Sequence, residues 1–122
     1  MPESKTLLAI VELGGYPNFQ PLYERLGYRT EVIMSGRRVL NRLKKGIPDV
    51  LVAEFNPQSD FRDRTSALES VLAVAQRSPD TRCIVFFDEA DAPHLEPLRE
   101  RFPFFESVSY PVTEEKLQAL LA

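Results

Sequence analysis

Three unbroken apolar runs restrict what this chain can become: residues 7–11, 50–53 and 83–87. Each is fenced by chain-breaking or acidic residues: Glu12 and Gly14-Gly15 after the first, Pro48-Asp49 and Asn56-Pro57 around the second, Asp88-Glu89 after the third. An apolar run this short, without alternation, reads as a strand covered on both faces. Strands of that kind belong to parallel sheets packed between helices. The run at 50–53 is the most sharply bounded, and Glu54 closes it. In an open parallel sheet the chemistry lies just past the carboxyl ends of the strands, so a central position for this strand puts Glu54 at the site.

Helical patterns fill the intervals. Phe19, Leu22, Tyr23 and Leu26 fall at i, i+3, i+4 and i+7, with Asn18 as a predicted N-cap and Gly27 as the stop. Pro21 sits in the first turn, where no intrahelical donor is lost. Residues 28–34 alternate Tyr28, Thr30, Val32 and Met34 against Arg29, Glu31 and Ile33, the pattern of a half-exposed edge strand. A basic helix over 37–45 carries Val39, Leu40 and Leu43 as its stripe. A polar connection over 56–65 leads to Ser66 and Glu69, a capping box that predicts a helix start, with Leu68, Val71, Leu72 and Ala75 inward. Asp91 is the predicted cap of a helix with Pro93 near its start and Leu95, Leu98 and Phe102 on its inner face. A mixed strand over 104–110 ends at Pro111, and Thr113 caps a last helix with Glu114 and Glu115 in its first turn and Leu117, Leu120 and Leu121 inward. The chain alternates β and α five times. It is therefore predicted to be an α/β protein: a doubly wound parallel sheet with right-handed crossovers and helices on both faces.

At 122 residues this is one domain, 1–122. A net charge of −3 argues against nucleic acid or an anionic membrane as the main partner. No apolar run approaches the roughly 18–20 residues that span a bilayer, and Met1-Pro2-Glu3-Ser4-Lys5 does not begin a signal peptide. The single cysteine, Cys83, rules out an intramolecular disulfide and a cysteine-rich metal site. These features predict a cytoplasmic protein.

Few motifs carry chemistry. Asp88-Glu89-Ala90-Asp91 spells a helicase box, but no G-x-x-x-x-G-K-[ST] loop accompanies it, and Gly14-Gly15 falls short of a dinucleotide fingerprint. Arg37, Arg38, Arg42, Lys44 and Lys45 share one helix and are expected to form a solvated face; nucleic acid is the sharper reading, against which the acidic pI counts, and contact with an acidic protein partner is a third. His94 has no Ser or Cys nucleophile motif to pair with, and Cys83 reads as a small core hydrophobe. Glu12, Glu54 and Asp88 are the acids that one sheet edge can gather for a divalent cation; the expectation is solvated loop acids and no metal site. No cofactor is expected, and no enzymatic activity.

Five βα units in this length, Pro48-Asp49 before the third strand and Pro111 after the fifth resemble the receiver domain of bacterial response regulators over essentially the whole chain. The resemblance implies a flavodoxin-like three-layer sandwich with strand order 2-1-3-4-5. It also implies a phosphorylation site whose positions fall here on residues of other chemistry. The paired acids become Glu12 with Val11 or Leu13 beside it, and the phosphoacceptor Asp becomes Glu54. The hydroxyl residue becomes Phe87 or its neighbour Asp88, and the lysine becomes Tyr110, with Pro111 kept. The switch aromatic becomes Ser107. Tyr110 brings no positive charge to a phosphoryl group, and Phe87 cannot donate to one. A Glu54 carboxylate carries −1, against about −1.5 to −2 for a phosphoryl group, so any imitation of the phosphorylated state is partial.

By this resemblance the chain is a pseudo-receiver, a phosphorylation-independent signalling module that binds protein partners or a second copy. The implied surface is the fourth helix, fifth strand and fifth helix, near Phe102, Phe104, Phe105 and Tyr110. Two alternatives stand beside it: the N-terminal regulatory domain of a transcriptional regulator, and a small-molecule or cofactor binder using the crevice between the first and third strands. Tyr110-Pro111 is expected to be cis.

Overall fold

The computed structural model describes residues 5–11, 18–34, 36–55 and 62–121. Five strands alternate with five helices: β1 (Lys5–Ile10), α1 (Gln20–Arg25), β2 (Tyr28–Ile33), α2 (Gly36–Leu43), β3 (Val50–Glu54), α3 (Arg62–Ala75), β4 (Arg82–Phe87), α4 (Ala92–Arg101), β5 (Glu106–Ser109) and α5 (Glu114–Leu121). All pairings are parallel and the order is β2-β1-β3-β4-β5, as the resemblance implied. The three continuous apolar runs are the three inner strands. Every residue of β3 is buried, whereas alternating β2 lies at an edge and keeps Arg29, Glu31 and Val32 exposed.

The sheet separates two apolar cores, and strand parity decides which core a side chain enters. Leu8, Ile10, Leu51, Ala53, Cys83, Val85 and Phe87 pack with Val39, Leu43, Leu72, Leu95 and Leu98 from α2, α3 and α4. Their neighbours Leu7, Ala9, Val50, Val52, Ile84 and Phe86 pack on the other face with Leu22, Tyr23, Leu117 and Leu121 from α1 and α5. Burial of Cys83 raises its thiol to a pKa of about 12, as suits a core hydrophobe.

Helix ends follow the chemistry of their caps, with three corrections. The N-cap of α1 is Phe19, not Asn18, and it makes no side-chain cap bond; Asn18, one residue earlier, accepts from the Gln20 N–H through Oδ1 at 3.0 Å. Gly27 closes α1 at φ +96, a region open to glycine. Thr113 Oγ1 caps α5 by accepting from the Lys116 N–H at 3.2 Å. The predicted start at Ser66 is wrong: α3 begins at Arg62. Residues 62–65 contain no Gly or Pro, so nothing in them stops the helix from running on past a local capping signature. Asp91 makes no side-chain cap bond. Asp88 caps instead, accepting from the Ala90 N–H at 2.9 Å to start a 3-10 turn (Glu89–Asp91) that leads into α4.

Candidate functional site at the carboxyl end of the sheet

Glu54 ends β3, where the fully buried strand leaves the sheet. It is only 3% exposed. Its parity matches Val50 and Val52, so it lies on the α1/α5 face, in register with Phe86 of β4. The next residue, Phe55, donates its N–H to the Phe86 carbonyl at 2.8 Å and extends the ladder past the strand. The acid is thus held at the rim of the core on a rigid backbone.

Tyr110 follows β5. Its N–H donates to the Phe87 carbonyl at 2.9 Å, and its bond to Pro111 is cis, as expected from the resemblance. The ring packs against the α1/α5 core. Burial, with smaller contributions from the Glu54 and Asp88 charges, pushes the phenol up to about 12. Tyr110 therefore keeps its proton at neutral pH and sits as a neutral donor in the field of two carboxylates. From α5, Lys116 Nζ donates to the carbonyls of Pro111 at 2.9 Å and Ser109 at 3.3 Å, fastening the segment that carries Tyr110.

Phe87 points the other way. Its ring belongs to the α2–α4 core, and the Arg99 guanidinium of α4 lies over it at 5.9 Å. Arg99 Nη2 also donates to Ser107 Oγ in a short hydrogen bond. Arg99 Nε is 3.4 Å from the Glu96 carboxylate, an ion pair without hydrogen-bond geometry. Phe87, Ser107 and Arg99 thus tie β4, β5 and α4 together on the face away from Glu54.

Of the residues singled out from sequence, the fold brings Glu54, Asp88, Tyr110 and Pro111 to one end and turns Phe87 to the opposite face. Glu12 lies outside the described residues. Asp88 is engaged in its cap, and among the described residues no three His, Cys, Asp or Glu side chains are grouped to hold a metal ion. The expected aromatic surface needs correction. Phe102 and Phe105 are 4% and 6% exposed and complete the α2–α4 core, because Phe102 continues the Leu95-Leu98 stripe. Phe104 remains at 38% exposure, its ring edge-on to Phe102 at 6.1 Å. His94 is exposed on α4. Among the described residues no helix is long and apolar enough to cross a membrane.

Sequence reasoning missed Arg99 and Lys116. Arg99 is four residues after Leu95, so the helical stripe that found the core also marked it. Lys116 gave no such signal, since the carbonyls it binds are set by the backbone path around Pro111.

No protein-family model and no curated protein matches the sequence. Solved structures do match. A response regulator receiver domain protein from Clostridium thermocellum is 18% identical, with TM-score 0.73 over 96% of this chain and 90% of that one. The Vibrio cholerae chemotaxis protein CheY4 is 20% identical, with TM-score 0.71 over 98% and 97%. NtrX from Brucella abortus is 12% identical, with TM-score 0.73 over 97% of this chain but 26% of its own. With its strand order and its alternating helices, this chain has the fold of the response-regulator receiver domain.

Proposed function

We propose that this chain is a non-enzymatic, phosphorylation-independent signalling module that binds protein partners. The observation that carries the reading is the burial of Glu54 at the third strand's end, at 3% exposure, beside a neutral tyrosine. Phosphoryl transfer needs an accessible acceptor and positive charge or donors placed around the transferred group. Here the acceptor position is covered. Tyr110 contributes no cation, and the Phe87 ring lies in the opposite core under Arg99. On this reading Glu12, Glu54, Phe87, Tyr110 and Pro111 are the remains of a phosphorylation site. The face of α4, β5 and α5 is the contact surface for a protein partner or a second copy, with Phe104 as its exposed apolar residue.

The test is incubation with beryllofluoride or acetyl phosphate and magnesium, followed by amide NMR. Unchanged resonances around Glu54 and Tyr110 are expected. Concerted shifts there at millimolar magnesium or below would overturn the reading. A second reading, the regulatory domain of a longer transcriptional regulator, is favoured by NtrX, in which the same fold occupies about a quarter of the chain. A longer product from the native gene, with a DNA-binding part, decides for it.

A further inference from the structure

We infer that β2 is a self-complementary edge on which two copies of this chain pair antiparallel, with the twofold axis at Thr30. The first support is the direction of the backbone groups. The Ile33 carbonyl accepts from the Val11 N–H at 3.0 Å, so it points inward, along the β1 side. Backbone groups alternate sides along a strand. Arg29, Glu31 and Ile33 therefore bond inward, while the N–H and C=O of Tyr28, Thr30 and Val32 face the open edge. An antiparallel pair centred on Thr30 uses those three residues: Thr30 against Thr30, and Tyr28 against Val32 of the second copy.

Charge selects the same register. Centring on Thr30 places Arg29 opposite Glu31 of the second copy, twice over, in the closely spaced pairs between hydrogen-bonded ones. Moving the axis one residue sets Glu31 against Glu31 or Arg29 against Arg29. Both side chains lie at the surface. Glu31 already accepts from Arg42 Nε at 2.8 Å, and a carboxylate has room for a second cation.

Two further observations point to a missing neighbour at this edge. Thr30 Oγ1 is buried and has no hydrogen-bond partner. Directly opposed threonines sit side by side, and a change of χ1 rotamer that turns the hydroxyl from its buried position toward the edge gives it the hydroxyl of the second copy as partner. Val32 is 40% exposed on the same face, and pairing covers it with the strand of the second copy at Tyr28. A ladder this short buries less than the roughly 1,200–2,000 Å² of a stable interface. The dimer is therefore weak and reversible, in a window of about 10 µM to 1 mM.

Sedimentation equilibrium across that window, joined to amide exchange, tests the inference. The expected result is a monomer–dimer equilibrium in which the Tyr28, Thr30 and Val32 amides gain protection with concentration and the Arg29 and Glu31 amides do not. Arg29→Glu and Glu31→Arg should each weaken self-association about tenfold. An equimolar mixture of the two variants should restore it, because both ion pairs re-form only in the heterodimer. Thr30→Pro removes an outward N–H, which an edge strand tolerates, and should abolish pairing while the fold persists. A monomer at every concentration overturns the inference, as does a dimer indifferent to Arg29→Glu and Thr30→Pro. A dimer dissolved only by Phe104→Arg also overturns it and leaves the α4-β5-α5 surface of the proposed function standing. Loss of the edge dimer alone does not touch that function.

Discussion

The two ends of the sheet use their polar groups differently. At the amino end Thr6, Asp49 and Thr81 close structural bonds. Asp49 Oδ2 accepts from the Thr6 N–H at 2.8 Å, and the Asp49 N–H donates to the Thr6 carbonyl at 3.0 Å, stitching β1 to the entry of β3. Thr81 Oγ1 donates to the Pro48 carbonyl at 2.9 Å and shares a bond with Ser78 Oγ at 2.9 Å. At the carboxyl end a carboxylate and a phenol are partly withdrawn from water beside one another, with a second acid within electrostatic reach. The amino end is a seam; the carboxyl end keeps a charge where the fold would be simpler without one.

That contrast can be broken from either side. The largest effect should come at the seam: Thr81→Val leaves the Pro48 carbonyl without its partner and should cost about 2 kcal/mol in urea unfolding at pH 7. The carboxyl end should respond chiefly to alkali. Because the folded-state pKa of Tyr110 is raised, its contribution is full below its ordinary value of 10 and is lost as pH climbs toward about 12. Tyr110→Phe should therefore flatten the decline between pH 10 and 12 by up to about 2 kcal/mol, while hardly changing stability at pH 7. An unchanged alkaline limb would mean that the phenol is not withdrawn from water at this strand end. Asp49→Ala, at an exposed bond, should cost about 1 kcal/mol. Arg99→Met should be smaller still, about 0.5–1 kcal/mol from the ring contact and the Ser107 bond, read as faster amide exchange in α4.

Much of this architecture was legible because burial on both faces leaves short unbroken apolar runs, which their length and flanking turn residues mark as strands. The runs at 7–11, 50–53 and 83–87 became β1, β3 and β4, and the alternation from Tyr28 became the edge strand. The beginning of α3 was not legible, because a capping signature at Ser66 also fits an uninterrupted helix interior. The site was legible only as positions. Sequence spacing placed Glu54 and Tyr110 at the carboxyl end, but not the depth to which Glu54 sinks or the turning of Phe87 to the other face. Side-chain direction at a strand end depends on the register with neighbours distant in sequence. For the same reason the sequence reading assigns Phe105 to the contact surface although it is buried, and counts Phe102, placed inward by its helical stripe, toward a surface that it does not reach.

The division of the interior by the sheet has a consequence for how this chain can change over generations. Leu51 and Val52 are adjacent in sequence, yet each answers to a different set of helices. A smaller residue at Leu51 can be compensated from α2, α3 or α4, and not by its own neighbour. Substitutions two apart on a strand should accordingly show interaction energies, while those one apart should add. Mutational drift in this protein then proceeds as two nearly separate histories interleaved along one chain, and a map of tolerated variants should sort odd from even positions along every inner strand.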